Sequence, residues 1–233
     1  MNTGNEVVCF FAVVEEATPF RRLVRRRFDL LIETTGIGSR RARTAASRAL
    51  RQKRPSLVLT CGFAGGLNPA LPRDTVVFSA DEGFPLDEAL LSAGAVRGRF
   101  ECADRILATA VEKAALWRRT GADAVDMESE AIRLVCREQG VPSATVRVIS
   151  DAADEDLPLD FNRLVSSDFE FEYFRLAREL ARRPAKLTEL LRFRRRLRKA
   201  ANRLAAVLAE LLLVGKSTSP TEPLSPVGEG QPM

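Results

Sequence analysis

Histidine is absent from all 233 residues. Acid–base chemistry in this chain must therefore come from Asp, Glu, Lys, Tyr or Cys. The absence also removes a common zinc ligand, and Cys9, Cys61, Cys102 and Cys136 have no metal-ligand spacing. No metal site is expected. Cys9 and Cys61 lie within apolar runs and read as buried free thiols. No apolar run approaches the roughly 20 residues that cross a bilayer. The opening Met1-Asn2-Thr3-Gly4-Asn5-Glu6 has no positive region, so no secretory signal is expected and the chain reads as cytoplasmic. There is no internal repeat. The glycine-rich stretches are not followed by Lys-Ser/Thr, which excludes a P-loop, and they do not form a dinucleotide fingerprint.

What remains is a globular composition, 45% hydrophobic and 29% charged, in a chain long enough for one large domain. The net charge of +5 is unevenly placed. Between Arg182 and Arg203 ten Lys or Arg face one acid, Glu189, so that segment carries +9 and the rest −4. The mildly acidic body argues against nucleic acid as a partner.

Val7 to Val14 is a continuous β-branched and aromatic run, the pattern of a strand buried on both faces. Phe28–Thr34, Ser56–Thr60, Thr75–Ser79 and Ala144–Ile149 read as further strands. Helices are predicted over Arg40–Gln52 with Ser39 as N-cap, over Arg105–Thr120, over Asp126–Gln139 and over Phe161–Arg183. Gly62-Phe63-Ala64-Gly65-Gly66 reads as a turn after the third strand, and Gly36-Ile37-Gly38 as a purely structural one. Strands alternating with helices predict an α/β domain with a largely parallel or mixed sheet over residues 1–183. A basic amphipathic helix is expected over 184–214, and the Pro- and Ser-rich 215–233 reads as a disordered tail.

Several ionisable groups stand where packing alone would not put them. Glu15 and Glu16 follow the first strand, at the sheet edge where open α/β folds place ligands. Glu128 follows Ala124-Val125 inward, while Asp126 and Glu130 are expected to face solvent. Asp151 ends the run Val146-Arg147-Val148-Ile149-Ser150. Arg147 lies within that strand, and a buried Arg needs a carboxylate, which Glu128 or Glu16 can supply.

In this order the glutamate pair, Thr35-Gly36-Ile37-Gly38, Gly62 to Gly66, Asp126-Met127-Glu128-Ser129 and Val146 to Asp151 resemble the nucleoside phosphorylase/nucleosidase superfamily. That group includes methylthioadenosine/S-adenosylhomocysteine nucleosidases and hopanoid-associated phosphorylase-like nucleosidases. The resemblance spans roughly residues 5–180 and implies a single three-layer domain, its mixed central sheet flanked by helices. It implies Asp151 as the acid that protonates the purine N7, with Ser150 beside it, and Glu16 as the group that activates water. Glu128 would bind the ribose hydroxyls, Met127 would pack on the sugar, and Arg147 would order the carboxylates. Ala64 and Gly65 would line the ribose and nucleophile region, Leu107 would contact the base, and Phe161 would cover the 5′ side. The substrate would be a 5′-substituted adenosine, with no cofactor and a homo-oligomeric assembly.

The residue types suit that chemistry independently, because cleaving an N-glycosidic bond needs an acid for the departing base and a carboxylate near the developing positive charge. Two positions depart from the family pattern. Phe63 stands where a small hydroxyl residue is usual, which favours water over phosphate as nucleophile. Ile106 stands at the aromatic base-stacking position. A phosphate-dependent phosphorylase and a non-catalytic nucleoside binder are the alternatives. For residues 186–213, two readings are open: contact with an anionic membrane surface, or packing on the body or a partner.

Overall fold

The first strand alternates as its sequence demands. In this computed structural model, which describes residues 6–25, 27, 29–164, 176, 182 and 185–214, β1 (Val7–Phe11) is buried throughout. Val7, Cys9 and Phe11 point into one apolar cluster, Val8 and Phe10 into another on the opposite face. A strand with a core on both sides cannot carry polar residues on either, which explains its unbroken apolar run.

The chain continues through α1 (Val14–Val24), β2 (Leu30–Thr34), α2 (Ser39–Lys53), β3 (Leu57–Gly66), β4 (Val76–Ala80), α3 (Asp87–Ser92), β5 (Val96–Arg97) and β6 (Phe100–Cys102). It closes with α4 (Ala110–Thr120), β7 (Ala124–Asp126), α5 (Ser129–Glu138), β8 (Ser143–Asp151), a single 3-10 turn at Phe161–Arg163, and α6 (Ala185–Val214). The eight strands form one mixed sheet, ordered β2-β1-β3-β8-β4-β5, with β7 pairing both β3 and β6. β1, β2, β3 and β8 run parallel, whereas β4 is antiparallel to β8. Helices α1, α3 and α6 cover one face, α2 and α5 the other. The expected three-layer α/β architecture is present.

Several boundaries differ from the sequence expectation. The run from Val7 breaks after Phe11, and Val14 already opens α1. β3 does not end at Thr60 but continues through the glycines to Gly66, so the expected turn is extended strand. Residues 105–109 precede α4, where Thr109 caps the helix and Glu112 completes a capping box. Residues 124–126 are strand, and α5 starts at Ser129. Most of the helix expected over 161–183, and the tail from residue 215, lie outside the described residues.

Helix α6 forms over the expected residues, and of the two readings open for it the described residues show packing on the body. Ala200, Leu204, Ala205, Val207, Leu208, Leu211 and Leu212 are buried within the main core, against α1 and the sheet. The second half of α6 thus shares one core with the α/β body. The apolar face that a bilayer contact would need at Leu204, Leu208 and Leu211 is already covered by protein. Among the described residues of α6 the exposed large apolar side chains, Leu187 and Leu191, lie in the earlier turns. Among the described residues no helix is long and apolar enough to cross a membrane.

Candidate active site

The C-terminal ends of β1, β3 and β8 converge on a cavity of about 300 Å³. Glu16, Ala64, Gly65, Leu107, Met127, Glu128, Ser150, Asp151 and Phe161 all line it. The fold thus brings together residues spread over more than a hundred positions. Arg147 differs from these nine: it is 1% exposed and lies behind the carboxylates, not on the wall.

At one end three acids surround this single guanidinium. Arg147 pairs with Asp126 at 2.6 Å and with Glu128 at 3.5 Å, and donates to the Cys61 carbonyl and the Thr60 hydroxyl. Its main partner is thus Asp126, which is buried and not solvent-facing as its sequence position suggests. Asp126 also accepts from the backbone N–H and hydroxyl of Ser129, fixing the start of α5. Glu130 does face solvent.

Glu16 reaches back to the N–H groups of Ala12 and Val13 at the start of α1, and its other oxygen accepts the Phe63 N–H at 2.8 Å. It is both a helix-terminal acid and a wall of the cavity. Burial raises its carboxyl above the ordinary value, opposed by Arg147 and the three backbone donors. Gly62 makes this approach possible. A Cβ there would stand 2.5 Å from Nη1 of Arg147 and 2.7 Å from Oε1 of Glu16, at a φ of +146°.

Glu128 accepts the Gly38 N–H at 2.9 Å, and Ser39 donates its hydroxyl to the Met127 carbonyl. The Gly36–Gly38 segment is therefore part of the site, with Ile37 on the cavity wall, and Ser39 opens α2 without capping it. Burial pushes the Glu128 carboxyl up to about 7, with Arg147 pulling it down and Asp126 pushing it further up.

The opposite end has a different construction. The β3–β8 register shifts between Ala64 and Gly65, so that Gly65 pairs with Asp151 and Ser150 is the extra residue. In a regular strand successive side chains point to opposite faces; the bulge turns both Ser150 and Asp151 toward the cavity. Ser150 donates to Oδ1 of Asp151 at 2.6 Å, while Oδ2 contacts the ammonium of Lys113. Lys113, on α4, is fully buried, and its Nζ also donates to the carbonyls of Ala152 and Glu155. Three acceptors match its three N–H groups.

Sequence reasoning missed Lys113, because a lysine in a helix is ordinarily a solvated one. It also missed Asn162. That side-chain amide accepts the Ile106 N–H at 2.9 Å and donates to the Ile106 carbonyl at 2.8 Å, holding the segment beside Leu107. Leu107 itself makes no backbone hydrogen bond among the described residues. Phe161 lies against Phe193 of α6, ring centres 5.8 Å apart, and Phe193 and Leu197 complete the wall. Among the described residues no group of histidine, cysteine, aspartate or glutamate side chains has metal-binding geometry.

The same fold occurs in solved structures of low sequence identity. Campylobacter jejuni 5′-methylthioadenosine/S-adenosylhomocysteine nucleosidase is 17% identical and superposes with a TM-score of 0.65 over 90% of this chain and 99% of its own. Helicobacter pylori futalosine hydrolase is 17% identical, with a TM-score of 0.65 over 90% and 98% of the two chains. The methylthioadenosine/S-adenosylhomocysteine nucleosidase of Neisseria meningitidis, in complex with methylthio-immucillin-A, is 21% identical, with a TM-score of 0.64 over 90% and 99%. The sequence pattern of the phosphorylase superfamily matches residues 79–212, more than half of the chain, a stretch that includes β8, the Asp126–Glu128 segment and all but the last two residues of α6. The chain belongs to the phosphorylase superfamily.

Proposed function

We propose that the protein is a nucleosidase that hydrolyses the N-glycosidic bond of a 5′-substituted adenosine and releases adenine. The observation that carries this reading is a single cavity with carboxylates at both ends: Glu16 and Glu128 at one, Asp151 at the other. In the proposed reaction Glu16 accepts a proton from water as its oxygen bonds to C1′. The C1′–N9 electron pair leaves with the base, and Asp151, which first takes up a proton from solvent at the cavity, delivers it to neutralise the departing base. Lys113 and the Ser150 hydroxyl hold the Asp151 carboxyl toward the base. Glu128 holds the ribose hydroxyls, and its negative charge favours the positive charge developing on the sugar. Leu107 offers the base edge one N–H and one carbonyl.

Water is favoured over phosphate by the charges on the wall. Glu16, Asp126, Glu128 and Asp151 line the cavity, and among the described residues that line it the one cationic side chain is Arg105, which is paired with Glu112. Arg21 is turned onto β2, donating to the Ile32 carbonyl. An anionic nucleophile would meet repulsion without a phosphate cradle. The structural neighbours named above are nucleosidases and a hydrolase, which agrees with this reading.

The test is adenine release from methylthioadenosine, adenosylhomocysteine, 5′-deoxyadenosine and an adenosylated lipid, with and without phosphate. Release without phosphate is expected on at least one of them, and Asp151→Asn is expected to lower it by about 10²–10⁴ while the protein stays folded. Full activity of that variant on every cleavable nucleoside would overturn the assignment of Asp151. Release that requires phosphate and yields ribose 1-phosphate would establish a phosphorylase, and tight binding without turnover a non-catalytic binder.

A further inference from the structure

Beside the cavity lies a second, larger hollow of about 470 Å³ between α1 and α6. The two share Phe63 and Leu197 as lining residues. Its walls carry Arg22 from α1 and Arg194 and Arg198 from α6, opposed among the described residues by one acid, Glu15. Arg194 and Arg198 stand four residues apart, on one face of the helix. None of the three guanidinium groups has an ion-pair or hydrogen-bond partner among the described residues. Of the other cations on these two helices, Arg21 is engaged with β2, Arg196 with Glu155 and Lys199 with Asp74. Arg192, Arg195 and Arg203 likewise have no partner among the described residues but do not line the hollow.

Three unpaired guanidinium groups around one hollow repel one another unless an anion joins them. The planar guanidinium fork matches a carboxylate or phosphate in two-point hydrogen bonds. The nucleoside cavity is at the small end of ligand sites, so an extended 5′ arm must leave it. Phe161, Phe193 and Leu197 stand together at the side of the cavity nearest α6, and Leu197 is also a wall of the basic hollow. We infer that the arginine-lined hollow is a subsite for the 5′ arm of the substrate, and that this arm ends in an anionic group, a carboxylate or a phosphate. The inference rests on the nucleosidase reading and names its substrate class: adenosines whose apolar 5′ linker passes Leu197 and Phe63 before a terminal anion.

The experiment compares S-carboxybutyl-5′-thioadenosine with its methyl ester, using the full chain. The acid is expected to be cleaved with a kcat/KM roughly tenfold above the ester, a preference that shrinks as salt rises. In the double variant Arg194→Gln/Arg198→Gln the ratio is expected to fall toward one. A wild-type ratio of one or less, or a ratio that the double variant leaves unchanged, would overturn the subsite. Methylthioadenosine cleavage by the wild type tests the parent reading separately. If no nucleoside is cleaved, calorimetric binding of the acid and the ester gives the same ratio without turnover. Vesicles of phosphatidylglycerol distinguish a lipid headgroup as the anion's source. Sedimentation with them that the double variant abolishes, together with no preference for the soluble acid, would overturn the proposal and assign the arginines to lipid.

Discussion

The two ends of the cavity handle buried carboxylates in opposite ways. At the Glu16 end three acids share one guanidinium, so negative charge is in excess, and burial lifts the carboxyls of Glu16 and Glu128 above their ordinary values. At the Asp151 end one carboxylate meets one ammonium, and that ammonium is fully satisfied by two carbonyls besides. The first arrangement holds its acids by mutual dependence on Arg147; the second holds a single acid in a fixed direction. Loss of a cation should therefore cost mainly stability at the first end and mainly catalysis at the second.

The largest effect is expected from Arg147→Met. It strands Asp126 and Glu128 in the core, and urea denaturation should show a loss of about 3–5 kcal/mol. A loss below about 1 kcal/mol would mean that the cluster does not depend on this cation.

Glu128 tests the excess of negative charge directly. Its carboxyl rises from 4.5 to about 7 in the folded protein, so the folded state holds its proton more tightly than the unfolded chain. The resulting stability is complete below about pH 4.5 and is lost as pH rises through about 7, an amount of about 3 kcal/mol. The stability difference between wild type and Glu128→Gln should fall across that window and level off above it. A flat difference would place the Glu128 carboxyl back in the ordinary range.

Lys113→Met is the matching test at the other end. Asp151 lies at the cavity surface, its side chain 10% exposed, so water can replace part of the lost contact. The expected loss of stability is about 1–3 kcal/mol, smaller than for Arg147. Base release should suffer more than folding does, with a changed pH profile of kcat. A variant that is destabilised but unchanged in kcat and pH profile would make Lys113 purely structural. The smallest effect is expected for Ser150→Ala, which removes one hydrogen bond to Asp151. It should cost about 1 kcal/mol in stability or in the activation barrier, and no measurable change in either would show that Lys113 alone fixes the carboxyl.

Some of this was legible in the chain before it was folded. A run such as Val7–Phe11 can be apolar throughout only if both faces of its strand are covered, so an α/β domain follows from the pattern along the chain, while the three-layer arrangement follows from the family resemblance. Acids at the ends of such runs stand out, and Glu16, Glu128 and Asp151 were found that way and do face one cavity. Asp126 was misjudged because the local sequence cannot reveal a cation reaching it from β8, on the far side of β3. The sequence of helix α6 leaves membrane contact and packing on the body both open, because the core that absorbs Leu204, Leu208 and Leu211 comes from distant segments.

The sequence by itself determined the residue types available for chemistry and the alternation of strands and helices, because both depend on composition and local periodicity. The tertiary structure decided which ionisable groups meet. The bulge at Ser150, the glycine at position 62 that admits Arg147 and Glu16, and the lysine turned inward behind Asp151 all arise between elements far apart in the chain. Electrostatic partnership depends on distance and burial, and neither is a property of any one segment.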